Sequence, residues 1–189
     1  MSVRRVQLRR GTTAENNAFT GALGEITVDT TNDAIRIHDG STAGGFETVA
    51  RQAKYADIAE RYHADSGDYA PGDVLVFGGE NEVTISNSML DKRIAGVVST
   101  EPYAIMNHPH RQPELTDSSH PALALVGRVP CKVVGEINKG DLMVSSATPG
   151  HACAWTEEGS PPAGSIIGKA IENKTGTGEG VIEVLIGVR

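Results

Sequence analysis

The sequence predicts a mainly β fold cut by many tight turns: a small N-terminal β module, a short helix, then a larger β-barrel or β-clip-like domain. Three observations predict it. Apolar and polar residues alternate in short runs such as Ile26-Thr27-Val28 and Ile35-Arg36-Ile37, the period of a strand with one apolar face. Glycine is abundant, at 22 of 189 residues, while aromatic residues make up only 4%, a balance that suits turns and sheets rather than a helical bundle. One stretch, residues 47–63, departs from both habits: it is rich in Ala and charge and free of Gly and Pro.

The elements follow in order. Residues 3–8 read as a first strand, with Val6 and Leu8 on one side and Arg5 and Gln7 on the other. Gly11-Thr12-Thr13 is a turn, and Thr12 or Thr13 is placed to cap a helical turn over 14–19. Two alternating strands at 25–29 and 34–38 form a hairpin around the turn 30–33, and Gly40, Gly44 and Gly45 give a flexible exit. The bulky apolar groups of this module are Phe19, Ile26, Val28, Ile35, Ile37 and Phe46. So few make a thin core, and an isolated hairpin is marginal in water. The module is therefore expected to share its apolar face with partners, through Val6, Leu8, Ile26, Val28, Ile35 and Ile37.

Within 47–63, Tyr55, Ile58, Ala59 and Tyr62 share one face at helical spacing. A helix is expected there, although its first turns also suit an extended chain. It marks the domain boundary: a β module over 1–50, a helical linker over 51–63, and a β-rich domain over 64–189. The last domain reads as two pseudo-duplicated halves. Pro71-Gly72-Asp73-Val74-Leu75-Val76 matches Lys139-Gly140-Asp141-Leu142-Met143-Val144, and each is followed by an apolar strand broken by glycine, at Gly96 and Gly168. Gly-Asp suits a tight turn that starts a strand, and a mid-strand glycine suits a bulge or a close backbone approach. Strands at 122–126, 129–134 and 181–188 complete the domain; the last is nearly all apolar and is expected to be central or at an interface.

Charge and composition exclude several function classes. A formal net charge of −7 argues against a nucleic-acid partner. Arg4, Arg5, Arg9 and Arg10 form a basic opening stretch, which reads as a solvated strand face or as a tip that docks an acidic surface. Cys131 and Cys153 lie in separate apolar runs with no CxxC spacing, so they read as buried free thiols rather than a disulfide framework. No apolar run reaches the roughly 20 residues of a membrane span and none at the N-terminus suits a signal peptide, so no membrane insertion is expected.

The weak candidates for metal ligands are His108 and His110, with His120 nearby. Residues two apart on a strand point the same way, so an HxH pair can present two imidazoles together; Pro109 argues against a regular strand there, and a solvated partner-facing loop is the competing reading. No serine lies in a nucleophile elbow, and Gly78-Gly79 and Gly176-Thr177-Gly178-Glu179-Gly180 lack phosphate-loop spacing. No catalytic residue and no cofactor is expected.

The pattern Arg10-Gly11-Thr12-Thr13-Ala14-Glu15, Phe19-Thr20-Gly21-Ala22, Gly24-Glu25-Ile26-Thr27-Val28-Asp29-Thr30 and His38-Asp39-Gly40-Ser41-Thr42-Ala43-Gly44-Gly45 resembles the N-terminal module of phage tail receptor-binding and fibre proteins of the major tropism determinant type. It covers roughly the first quarter of the chain. The resemblance implies an intertwined, homotrimeric virion component, made in the host cytoplasm. Its implied partners are other phage tail, baseplate or neck proteins and a host cell-surface receptor. The remainder is similar to an autoproteolytic or intramolecular-chaperone (peptidase G2-like) domain of tail fibres and tailspikes, through Ala56-Asp57-Ile58-Ala59-Glu60, Ile94-Ala95-Gly96-Val97-Val98, Ala124-Leu125-Val126-Gly127-Arg128 and Ser146-Ala147-Thr148-Pro149-Gly150. No cleavage nucleophile can be matched residue by residue, so the expectation is a non-enzymatic structural protein. A self-cleaving maturation domain and a glycan-binding tip are the alternatives.

Overall fold

The computed structural model describes residues 7–48, 57–65, 67–107 and 119–187. The chain divides into two compact units, residues 1–52 and 53–189.

Unit 1 is a four-stranded sheet, β1 (Arg9–Gly11), β2 (Ile26–Asp29), β3 (Ala34–Ile37) and β4 (Phe46–Thr48), in that spatial order, with one helical turn, α1 (Thr13–Asn17). The helix starts where its cap predicts. The Thr12 side chain accepts from the Glu15 N–H at 3.3 Å, and Glu15 Oε2 accepts from the Thr12 N–H at 2.7 Å, a reciprocal box that satisfies two otherwise orphaned donors. β2 and β3 pair antiparallel from Ile26 opposite Ile37 to Asp29 opposite Ala34, while β1 runs parallel to β2. The first strand differs from the sequence expectation. It is described at Arg9–Gly11, where it pairs with Thr27–Asp29, and Gln7 and Leu8 precede it. Val6 lies outside the described residues.

Unit 2 contains β5 (Asp57–Arg61), β6 (Val74–Phe77), β7 (Val83–Ile85), β8 (Ile94–Val98), β9 (Ala104–Met106), β10 (Ala122–Val134), β11 (Leu142–Ser145), β12 (Ala152–Ala154), β13 (Ile166–Ala170) and β14 (Glu179–Ile186). The helix expected through residue 63 is not there: Asp57–Arg61 is strand β5, held between β10 and β9. Tertiary pairing overrides propensity here. The same residues alternate with period two, Asp57, Ala59 and Arg61 buried and Ile58 exposed, and neighbours on both sides take up the backbone donors and acceptors that a helix would have paired internally. Residues 51–56 of that expected helix lie outside the described residues.

β10 organises the unit. The sequence suggests two strands at 122–126 and 129–134; the structure makes one, because each half has its own neighbours. Its first half pairs with β5 and β8 and its second half with β14, and Gly127, at φ +113°, lies between the two. From β10 the ladder runs through β14, β13, β11 and β12, and a parallel bridge from Val133 to Ala152 returns it to β10. This closes a five-stranded barrel, which leaves those strands without an open edge on that side. Val129, Cys131, Val133, Met143, Ile182 and Val184 fill it, each essentially buried. β14 is thus central, flanked by β10 and β13, which explains its continuous apolar run.

The two Gly-Asp turns make matching bonds. The Gly72 N–H donates to the Val98 carbonyl and the Gly140 N–H to the Ala170 carbonyl, both at 2.8 Å. Asp73 Oδ2 accepts from the Ala70 N–H, and Asp141 Oδ2 from the Asn138 N–H, again at 2.8 Å. Leu75 then faces Gly96, and Met143 faces Gly168, each pair followed by a bulge. A side chain has no room at either glycine: a Cβ on Gly96 would lie 2.7 Å from the Ala124 carbonyl oxygen, and one on Gly168 would collide with the Leu185 carbonyl. Gly168→Ala should therefore cost about 1–3 kcal/mol, read as a lower thermal midpoint for unit 2. Gly178→Ala, which meets nothing within 4 Å, should leave it within about 0.5 kcal/mol.

Candidate functional site

The hairpin of unit 1 is built inside out. Residues that alternate along β2 and β3 point to opposite faces, and the polar set is the buried one. Thr27, Asp29, Arg36 and His38 are 0%, 0%, 5% and 1% exposed, whereas Ile26, Ile35 and Ile37 are 41%, 47% and 43% exposed. Val28 is half-buried on the same outer face, and register places Phe46, opposite Ile37, beside it. Leu8 is exposed. The sequence shows the alternation and makes the apolar side a thin core shared with partners; the structure covers the polar side with α1 and the loops around Gly21 and Gly44.

The buried side forms a hydrogen-bond network. Arg36 Nη2 donates to Asp29 Oδ2 at 2.8 Å, and Nη1 donates to Asn17 Oδ1 at 2.8 Å and to the Gly44 carbonyl at 3.0 Å. Asp29 Oδ1 accepts from the Thr13 hydroxyl and from the Thr31 and Asn32 N–H groups. Burial pushes the Asp29 carboxyl up, but these donors outweigh it and hold the group below the usual carboxylate range. His38 sits between two glycines for a steric reason: a Cβ on Gly21 would lie 2.6 Å from its ring, and one on Gly45 2.8 Å from Nδ1. The ring's tautomer follows from its partners. Gly21 N–H donates to Nδ1 at 3.1 Å, so Nδ1 is the acceptor and Nε2–H faces Thr27 Oγ1 at 3.0 Å. Thr27 then passes its own proton toward Asn16 Oδ1 at 2.8 Å. The legible signal for this network is the run of hydrogen-bonding residues at every second hairpin position beside Gly21, Gly44 and Gly45.

The rim of the unit is fixed by charge. The Arg9 guanidinium lies 4.4 Å over the Phe19 ring and its Nε donates to Glu25 Oε1 at 2.8 Å. Asp39 accepts from the Thr42 and Ser41 N–H groups and the Thr42 hydroxyl, which hold its carboxyl far below the usual range. These contacts tie down the Asp39-Gly40-Ser41-Thr42 turn, while on the outer apolar face register places Arg10 beside Val28 and Thr48 beside Ile35.

Residues 6–42 match the family described as the Major tropism determinant N-terminal domain. The matched residues include the hairpin, the capped helix and Asp29, Arg36 and His38 of the buried network. The tail fiber receptor-binding protein of Bordetella phage BPP-1 is 61% identical over 41 residues, 22% of this chain and 11% of that protein. Solved structures of the Major Tropism Determinant P3c and I1 variants are 21% and 22% identical, with TM-scores of 0.23 and 0.24; the aligned part covers 87% of this chain and 36% of each of theirs. Unit 1 is therefore similar to the N-terminal module of phage tail-fibre receptor-binding proteins, and the chain spans only a small part of those relatives.

The other sequence candidates are placed as follows. His108 and His110 lie outside the described residues. His120 stacks on His63, ring centroids 4.7 Å apart and planes 7° apart, with its Nδ1 2.9 Å from Ser119 Oγ. Among the described residues no three His, Cys, Asp or Glu side chains gather as a metal site, and no helix is long and apolar enough to cross a membrane. Cys131 is buried in the barrel and its thiol is pushed up to about 12 by burial, which keeps it neutral. Cys153 is half-buried, its Sγ 3.7 Å from Met89 Sδ.

Sequence reasoning missed Asp57. It is fully buried at the start of β5, with the Ser99 hydroxyl as its side-chain partner. Burial pushes its pKa up, opposed mainly by the Ser99 hydroxyl. A raised folded pKa means that unit 2 loses stability as pH rises through that value. Asp57→Asn should raise the thermal midpoint by a few degrees at pH 7, with the gain vanishing below about pH 4, where the carboxyl is protonated in both states; a gain that persists undiminished at pH 3 excludes titration of Asp57 as its source. For unit 1, the ring ¹⁵N shifts of His38 should report the Nε2–H tautomer, and a Nδ1–H signature would contradict the geometry.

Proposed function

We propose that this chain is a non-enzymatic structural component of a phage tail, a homotrimeric fibre, spike or adaptor that mediates assembly and host attachment. One observation carries the reading: the segment that is similar to tail-fibre receptor-binding proteins is the segment that turns its apolar side chains outward. An exposed, contiguous apolar sheet face marks an interaction surface. Unit 1 buries a polar network, which is specific but contributes little net hydrophobic stabilisation. Packing the outer faces of three copies together supplies what the single copy lacks, and closed symmetry keeps the assembly finite.

In this reading Leu8, Ile26, Val28, Ile35 and Ile37 are the assembly contacts, with Val6 assigned to the same face from the sequence. Residues 1–50 form the attachment module and residues 64–189 a knob or collar, with β5 in place of the last part of the linker. Partners are other tail, baseplate or neck proteins and a host cell-surface receptor; the location is the virion. The matching Gly-Asp turns and glycine-facing bulges of β6–β8 and β11–β13 support an origin of the second unit by duplication.

Light scattering of the purified chain at micromolar concentration should give three times the chain mass. The double substitution Ile35→Glu with Ile37→Glu should reduce it to the monomer mass without changing the unfolding of unit 2. A wild-type monomer overturns the trimer, and a mutant that stays trimeric overturns this face as its contact.

A further inference from the structure

The sheet of unit 1 has two unlike ends. β4 leaves it at Thr48, opposite Ile35, at the end that holds the hairpin turn 30–33. The other end gathers the start of β1, the turn that leads into β2 and the loop that follows β3. There lies Leu23, the most exposed large apolar side chain among the described residues, at 83%. A single exposed apolar residue is ordinary on a protein surface. Leu23 is neither isolated nor loosely held. Exposed Leu8, Ile26 and Ile37 lie at the same end.

Leu23 occupies the second position of a β-turn. The Glu25 N–H donates to the Ala22 carbonyl at 2.9 Å, and Gly24, at φ +77°, supplies the left-handed residue at the third position. The Glu25 carboxylate accepts from the Ala22 N–H at 2.9 Å and from Arg9 Nε at 2.8 Å. The Gly24 N–H donates to the His38 carbonyl at 2.7 Å, and the His38 N–H to the Glu25 carbonyl at 2.9 Å. The turn is thereby anchored on a residue of the buried network. A Cβ on Gly40 would lie 3.3 Å from the Leu23 nitrogen, so the Asp39-Gly40-Ser41-Thr42 turn backs the Leu23 main chain. A side chain on so fixed a backbone loses little further freedom on binding. Exposed Ser41, Thr42 and Arg9 lie at the same end, and an apolar anchor within a polar rim is the anatomy of a protein–protein contact. The residues that lead into β1 add Arg4 and Arg5 and no acid.

We propose that Leu23 anchors this end of unit 1 in an apolar, acid-rimmed socket on a second tail protein, an inference that rests on the attachment reading above and names its contact. A second copy of the chain is the poorer occupant. Packing of the outer faces around a three-fold axis leaves the ends of the module free, and end-to-end contact of two such trimers gives six chains rather than three. One trimer presents three copies of the anchor, which multiplies the effect of each.

The test uses phage particles assembled with the full chain, wild-type or variant. The chain is counted against the major capsid protein by quantitative mass spectrometry, and the same purified chains are sized by light scattering. Leu23→Glu should leave the trimer mass and the His38 ring signals unchanged, yet lower the number of chains per particle by about tenfold or more. Leu23→Met should keep the wild-type number, and Arg4→Glu with Arg5→Glu should lower it. Undiminished incorporation of Leu23→Glu overturns the proposal; if those particles also fail to adsorb to cells, this end faces the receptor instead. Loss of the trimer in Leu23→Glu, or a wild-type mass of six chains, makes Leu23 a contact between copies and overturns it as well. Undiminished incorporation of the arginine variant removes the acidic rim. Absence of the wild-type chain from purified particles removes the attachment reading itself.

Discussion

Unit 1 depends on the contact between the Arg36 guanidinium and the Asp29 carboxylate. Both groups are buried in a unit with almost no apolar interior. A charge taken out of water must be paired and hydrogen-bonded or the fold does not tolerate it. The remaining bonds to this pair come from three places in the chain: Thr13 and Asn17 at the two ends of α1, the turn after β2, and the Gly44 loop. The pair thereby dictates where the helix, the turn and the loop lie. It also dictates which side of the sheet is inside, because alternation then sends Ile26, Val28, Ile35 and Ile37 outward.

Unit 2 solves a different problem in a different way. Its apolar residues are sufficient for a core, and the barrel buries them around β10 and β14. The costs are steric. Strands that approach closely at the bulges leave no volume for a side chain at Gly96 or Gly168. The buried Asp57 carboxyl and the Ser99 hydroxyl lie together by virtue of the β5 position, which the sequence did not indicate.

The contrast between the units suits the proposed role. A module with a polar interior and an apolar exterior gains from assembly, whereas a barrel with its own core does not require it. Specificity in unit 1 comes from hydrogen-bond geometry, so copies present the same face in the same shape.

The sequence by itself determined the β class, the hairpin with its turns, the Thr12 cap and the Gly-Asp turns, because each follows from periodicity or from backbone constraints local to a few residues. It also marked the residues of the outer face. Only the tertiary structure decided which face was outer: alternation fixes that two sides differ, not which side finds a cover, and here α1 and the glycine loops cover the polar one. Residues 57–61 show the same limit. Tyr55, Ile58, Ala59 and Tyr62 keep helical spacing, yet Asp57, Ala59 and Arg61 also keep strand spacing, and the deciding hydrogen bonds come from β9 and β10, more than forty residues away in sequence. The buried Asp57–Ser99 contact was illegible for that reason, since it is a property of the packed chain and of no local pattern.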